Sequence, residues 1–567
     1  MLTSVPGARG RLRFGHALVR ETLYEGLTTP RRMQLHRRAG EALEALYAQD
    51  QEPHLAELAH HFLEAAPGGD LDKALGYAQR AGDRTLELLA YEEAARLYEL
   101  ALQALELQQP VDLSARYALL VARGDALARG GSTPEAEQAF LAAADLARAS
   151  LLPEHLARAA LGYGGRFPFR RAGSDPWLVP LLEEALEALG DTEPVLRVKL
   201  LARLAGALRD QPSLEPRSSL SRQAVEIARG LGDPDTLGYA LASLFTATWG
   251  PELGELATIA EEVTRLAAET GEAERALDAC RLRWWVALSL GDVAAVERAA
   301  VDHRALAEQL KQPSLQWYDV AMRSTLAIFQ GEYAEGERLA EEALQLGQQA
   351  ESWEAGFVYR MALFSLRREQ GRLEEIEDMV RQSVDEYAGY RSFRCLLALL
   401  EWELGHREET RGMFDELAAD DFAALPRDAE WLFCLSVLAE VAAYLQDRDR
   451  AAILHRQLLP YAWLNAVAAG EVAIGSVARY LGLLATTMGH WNEAAQHFED
   501  ALAMNERMGA RPWLAHTQHD YARTLLARDE PGDRERAQEL LHQALATYRE
   551  LGIEPSAAKA SAVTWTP

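Results

Sequence analysis

At 567 residues, with 49% hydrophobic and 25% charged, the chain is too long for one compact core and too apolar to stay disordered. Its formal net charge of −28 opposes phosphate contacts over most of the surface, which excludes direct nucleic-acid binding by the bulk of the chain. Three cysteines, Cys280, Cys395 and Cys434, lie far apart without a CxxC, so neither a disulfide framework nor a cysteine zinc site is expected. No run of about 18 apolar residues appears and no secretory signal opens the chain, so a soluble, cytoplasmic protein is expected.

The chain divides by its patterning. Residues 1–50 are basic and helical: the first 40 hold eight Arg and two Glu, with Leu18, Leu23, Tyr24, Leu35, Ala39 and Leu43 at helical spacing. Residues 51–160 carry the first copies of an alanine-centred motif, clearest as Tyr91, Ala94, Tyr98 and Ala101, spaced 0, +3, +7 and +10. These positions share one helix face: small residues admit a neighbouring helix and the +7 ring fills the gap beyond.

Residues 161–178 break the rhythm, since Gly164, Gly165, Pro168 and Pro176 cannot sit in one helix. Arg166, Arg170 and Arg171 in that stretch either face an anion or acidic partner, or pair with local carboxylates. A second break at 248–254 places Trp249 as a cap on the core. Residues 179–472 hold degenerate copies, 473–555 restore the motif as Trp491, Ala494, Phe498 and Ala501, and 556–567 form a tail.

From Ala101 to Ala544 the marker recurs at gaps of 34 to 43 residues, the signature of stacked supersecondary units. Gly291, Gly331, Gly371, Gly405 and Gly489 each precede a copy and suit the left-handed conformation that closes a helix. Each repeat is therefore helix A, a tight glycine turn, helix B and a looser link. No alternating runs bounded by Asn-Gly or Asp-Gly turns appear, so the fold is expected to be all-α.

The glycine turn followed by A-x3-F/Y-x2-A resembles the tetratricopeptide repeat (TPR), whose period is about 34; most gaps here are longer. The resemblance implies a TPR-like right-handed solenoid of about twelve helical hairpins, in which each repeat contacts only its neighbours. It also implies a concave face lined by A helices. Trp284, Trp285, Trp317, Tyr318, Trp353, Tyr359 and Arg360 fall on those helices and are the candidate partner-binding groove, since Trp, Tyr and Arg dominate binding energetics. The competing reading is that these rings fill inter-repeat gaps.

Phe14, His16, Leu18, Val19, Arg20, Glu21 and Tyr24, followed by Leu35-His36-Arg37-Arg38, resemble the segment that joins the ATPase region of STAND-type bacterial signalling regulators to their TPR-like sensor arrays. The resemblance implies the sensor arm of an ATP-dependent signalling or transcriptional regulator. A protein or peptide partner, a separately encoded or upstream ATPase, and a small-molecule inducer would be its ligands, with Arg20, Arg37 and Arg38 at the interdomain face. None of the four lysines, Lys73, Lys199, Lys311 and Lys559, follows a glycine, so a Walker A loop is absent and the ATPase itself is expected elsewhere. The alternative is a free-standing TPR adaptor that assembles peptide or protein partners.

Catalytic and metal motifs add little. His54, His60 and His61, and His516 with His519, are the histidine clusters, and no HExxH accompanies them. No GxSxG appears, and each cysteine sits in an apolar helical stretch. No enzyme, cofactor or metal is expected; a hidden hydrolase would need a buried carboxylate pair or a His–carboxylate pair in a pocket.

Overall fold

The computed structural model describes all residues except 1, 5–11, 15–16, 67–70, 166–172, 174, 212, 249, 251, 351, 469–471 and 564–567, and omits the side chains of 2–4, 12–14, 17–20, 210 and 353. Arg166, Arg170, Arg171 and Trp249 thus lie outside the described residues, as do the side chains of Arg20 and Trp353. Twenty-nine helices, packed as consecutive hairpins, account for nearly all the described structure: an all-α, TPR-like repeat fold. Two compact units divide it, Met1–Tyr163 and Gly164–Pro567.

In the first unit a short antiparallel pair, β1 (Leu2–Ser4) and β2 (Leu12–Phe14), precedes the helices. Ala17–Glu25 and Thr29–Leu46 lead into hairpins such as Leu71–Glu87 with Tyr91–Leu105 and Leu113–Gly130 with Thr133–Ala149. The +7 aromatic of the motif has a fixed opposite number. Tyr98 lies flat against Gly82 and Phe140 against Gly124; a Cβ on either glycine would come within 2.6 and 2.8 Å of the ring. In the second unit Phe498 meets Gly482 in the same way, at 2.8 Å. In each case the glycine stands 16 residues before the ring, so an A helix without a side chain there receives the B-helix aromatic. That pairing recurs in these three repeats.

The second unit continues the hairpins and closes them with glycines in the left-handed region, including Gly291, Gly331, Gly371 and Gly489. It departs from an array in which each repeat touches only its neighbours. The turn at Gly291 lies against Met504 and Arg507, the turn at Gly331 against Pro512 and Leu551, and the turn at Gly371 against Pro555. Arg507 Nε donates to the Gly291 carbonyl at 3.1 Å. The C-terminal repeats therefore fold back onto the turns of the middle ones.

The fold-back contains a buried hairpin that sequence reading did not anticipate. Strands β3 (Asn465–Ala468) and β4 (Val472–Ser476) pair antiparallel and are buried along their whole length. Val467, Val472 and Ile474 are β-branched and apolar on both faces, so the run looks like any buried segment rather than an alternating strand. The hairpin packs on the helices Ala273–Leu290, Pro313–Gln330 and Trp431–Leu445. Asn465 Nδ2 donates to the Leu288 carbonyl at 2.8 Å, tying it to a helix 177 residues earlier.

Candidate functional site

Folding back frames a polar cavity of about 390 Å³ within the second unit. Six helices supply its wall: Trp353–Gln370, Arg391–Glu403, Trp431–Leu445, Val477–Met488, Arg511–Arg528 and Glu554–Ser561. Two of these are apolar except for one charge that faces inward. Trp431–Leu445 carries only Glu440, and Val477–Met488 carries only Arg479. An isolated charge on such a helix must be met by an opposite one, because the desolvated ion is otherwise prohibitively costly.

The partners are there. Arg479 Nη1 donates to Glu440 at 2.8 Å and Nη2 to Asp520 at 2.7 Å. Arg368 pairs with the other Glu440 oxygen and reaches Glu403 at 3.3 Å, and Lys559 from the last helix donates to Glu403 at 2.8 Å. His516 bridges Glu369 through Nε2 at 3.0 Å and the Tyr548 hydroxyl through Nδ1 at 2.9 Å. Tyr444 stacks on Trp402, with centroids 5.4 Å apart.

The electrostatics follow from this pairing. Burial alone would raise the Glu440 carboxyl, but Arg368 and Arg479 hold it at about 2. Burial likewise opposes ionisation of Glu369 and Glu403, yet His516 beside the first and Arg368 with Lys559 beside the second bring both below the ordinary carboxylate value. Burial, helped by Arg523, His516 and Arg479, pushes His519 down to about 4.

A His–carboxylate pair in a pocket, His516 with Glu369, is the arrangement a hidden hydrolase would require. Its chemistry points elsewhere. Both ring nitrogens of His516 are engaged, leaving none to take a proton from a substrate. Glu369, Glu403 and Glu440 are held ionised, so none is an acid at neutral pH, and His519 is too weakly basic to serve as a general base there.

What the network leaves over is a set of donors. Among the described residues, the Arg523 guanidinium, the His519 ring nitrogens, the Trp513 indole N–H and the Ser556 hydroxyl have no hydrogen-bond or ion-pair partner, and all four residues line the cavity. Glu374 at the wall is a carboxylate without a partner. A small apolar recess of about 30 Å³, formed by residues such as Met361, Phe364 and Phe433, shares Arg368, Glu369, Glu440 and Trp513 with the cavity. The buried Tyr333 hydroxyl there has no partner.

The groove expected from sequence falls elsewhere. Trp284, Trp285 and Trp317 are buried core side chains, not an exposed binding surface, because the repeat stack needs large rings to fill its gaps. Tyr318 and Tyr359 are half-buried, Tyr318 beneath the Arg281 guanidinium at 4.2 Å. Arg360 is committed to Glu386 at 2.8 Å and to Ser383 at 3.0 Å. None of these lines the polar cavity. Of the cavity's charges, Glu440 and Arg479 alone were legible, as single ionic residues inside otherwise apolar helices.

In the first unit, Arg37 and Arg38 are exposed; Arg37 reaches Glu41, at 3.9 Å. Beside them Leu23 and Leu35 are 54% and 37% exposed. His36 bonds to His61 and Tyr24, each at 3.0 Å, and His54 stacks on Tyr47. Among the described residues no helix is long and apolar enough to cross a membrane.

No protein-family model matches the chain, and no curated protein sequence matches it. Among solved structures, a chain in the crystal structure of the APC/C hetero-tetramer Cut9-Hcn1 is similar over 96% of this chain and 99% of that one, at 13% identity and a TM-score of 0.31. A likeness at that score carries no functional argument.

Proposed function

We propose that this chain is the non-enzymatic sensor and partner-binding arm of an ATP-dependent signalling or transcriptional regulator, and that its inducer is a small polar molecule bearing a carboxylate or phosphate. The observation that carries the reading is the polar cavity of about 390 Å³, a volume in the usual range for small-ligand sites. Its most buried ions, Glu440, Arg479 and Arg368, are paired with one another, and the groups left over are chiefly donors. Arg523, His519, Trp513 and Ser556 would bind the acidic oxygens, while Glu374 accepts from a hydroxyl or ammonium.

Because the wall is assembled from the middle and the last repeats, a ligand inside favours the folded-back arrangement over an opened one. That differential affinity is what a sensor needs to relay occupancy. In the first unit, Leu23 and Leu35 are exposed apolar side chains and Arg31, Arg37 and Arg38 exposed basic ones. Side chains of these two kinds suit docking to an acidic ATPase domain.

Thermal-shift measurements against a panel of small carboxylates and phosphates test this. A binding compound should raise Tm in the wild type and lose its effect in Arg523→Glu and in His519→Gln. If no compound shifts the wild type, or if every shift survives both changes, the cavity is not the sensor site.

A further inference from the structure

Three groups of histidines and carboxylates bring at least three donor atoms within 4.8 Å of one another among the described residues. Two are already satisfied from within. In the first, His36 is engaged by His61 and Tyr24; in the second, Glu401 is paired with both His406 and Arg381. The third, His455, Glu493 and His497, is different.

His455 lies on the helix Arg448–Leu458, and Glu493 and His497 lie on Trp491–Arg507, the corresponding helix of the next repeat. Glu493 and His497 are four residues apart and so share one face. Both imidazoles are 8% exposed. His455 Nε2 and both ring nitrogens of His497 are buried without a hydrogen-bond partner. Buried imidazole nitrogens with nothing to bond are rare and call for an explanation.

All three side chains converge. His455 Nε2 stands 3.4 Å and His497 Nε2 3.9 Å from Glu493 Oε1. Ligands of a tetrahedral zinc ion, bound at about 2.0 to 2.1 Å, are separated by about 3.3 Å. Small side-chain rotations therefore close the site. His490 Nδ1 lies 3.2 Å from the other Glu493 oxygen, the kind of outer contact that orients a ligating carboxylate.

We infer that His455, Glu493 and His497 form a zinc site that clips two consecutive repeats together. Two imidazole nitrogens and one carboxylate oxygen suit Zn²⁺ and disfavour the all-oxygen ions Ca²⁺ and Mg²⁺, and a water completes the coordination. The clip closes a loop of chain that includes the β3–β4 hairpin and Arg479. Zinc binding thus reinforces the segment around which the second unit folds back, independently of any ligand in the cavity.

Titration of chelator-stripped full-length protein with Zn²⁺ in competition with a chromophoric chelator tests the site. One ion should bind with a sub-micromolar constant, and Mg²⁺ should not compete. His455→Gln and His497→Gln should each weaken binding at least 100-fold, and Glu493→Gln about 10- to 100-fold, while His61→Gln leaves the constant unchanged. Near-UV circular dichroism establishes that each variant is folded. Glu493 is partly exposed, so Glu493→Gln supplies the decisive comparison if a histidine variant unfolds. Zinc binding that survives Glu493→Gln undiminished, or wild-type binding no tighter than about 100 µM, overturns the assignment.

Discussion

Arg479 and Glu440 meet inside the second unit at 2.8 Å, with side chains only 6% and 2% exposed. They come from different repeats, and Arg368 from a third repeat holds the other Glu440 oxygen. Glu440 thus links two guanidinium groups, each of which also meets a second carboxylate, Asp520 or Glu403. Glu440→Gln leaves both without their shared counter-ion in a desolvated site. The expected loss is about 3 to 5 kcal/mol of unfolding free energy, the usual cost of breaking a buried pair from one side. Urea unfolding measures it. A loss under about 1 kcal/mol would mean that water reaches the network freely.

Acid should destabilise the protein over two pH ranges, with His519 a large contributor to the upper one and Glu440 to the lower one. His519 has its folded value depressed from 6.5 to about 4. The unfolded state therefore takes up the proton first, and stability falls as pH drops from 6.5 towards 4. Glu440 is depressed from 4.5 to about 2; its contribution is complete above 4.5 and disappears as pH falls towards 2. Each contribution amounts to roughly 3 kcal/mol. Unfolding followed across pH in His519→Gln should reduce the loss in the upper range alone, and in Glu440→Gln the loss in the lower range alone. A wild-type profile that stays level between pH 6.5 and 4 would contradict the burial of His519.

The glycine–aromatic pairing gives a contrast within one helix. Gly82 and Gly76 both lie in Leu71–Glu87, but a Cβ on Gly82 would meet the Tyr98 ring at 2.6 Å, whereas one on Gly76 has nothing within 4 Å. Gly76→Ala should stabilise by about 0.5 to 1 kcal/mol through the unfolded state and helix propensity. Gly82→Ala should cost about 1 to 2 kcal/mol net, because overpacking outweighs that gain. Thermal unfolding reads both; shifts of the same sign would contradict the close pairing of Gly82 with Tyr98.

These glycines explain how far sequence reading reaches. The B-helix motif, the glycine turns and the all-helical character follow from local spacing, and local spacing is what a periodic pattern encodes. The partner of each ring is also periodic, 16 residues upstream, and would emerge once the repeats are aligned on the aromatic. The cavity is another matter. Glu369 and His516 are 147 residues apart, and only the fold-back through the buried β3–β4 hairpin brings them together. Nothing in the local pattern of either helix encodes that. Trp284, Trp285 and Trp317 attracted attention by residue type, but type does not distinguish a ring that fills a gap from one that lines a groove. Lone ions such as Glu440 in an apolar helix were the better signal, because burial forces such an ion to find partners.

The fold-back itself can be tested at two turns with the same backbone. Gly371 and Gly489 both adopt positive φ, 69° and 83°, so alanine at either pays about 1 to 2 kcal/mol for the left-handed conformation. At Gly489 nothing else lies within 4 Å, whereas at Gly371 the added Cβ would run into the Pro555 ring of the last helix. In an open array the two changes would cost the same. With the last helix docked, Gly371→Ala should cost about 1 to 3 kcal/mol more than Gly489→Ala. It should also speed hydrogen exchange in Glu554–Ser561, whose Lys559 anchors to Glu403 at 2.8 Å. Equal costs with unchanged exchange would place Pro555 away from the turn and leave the cavity without its final wall.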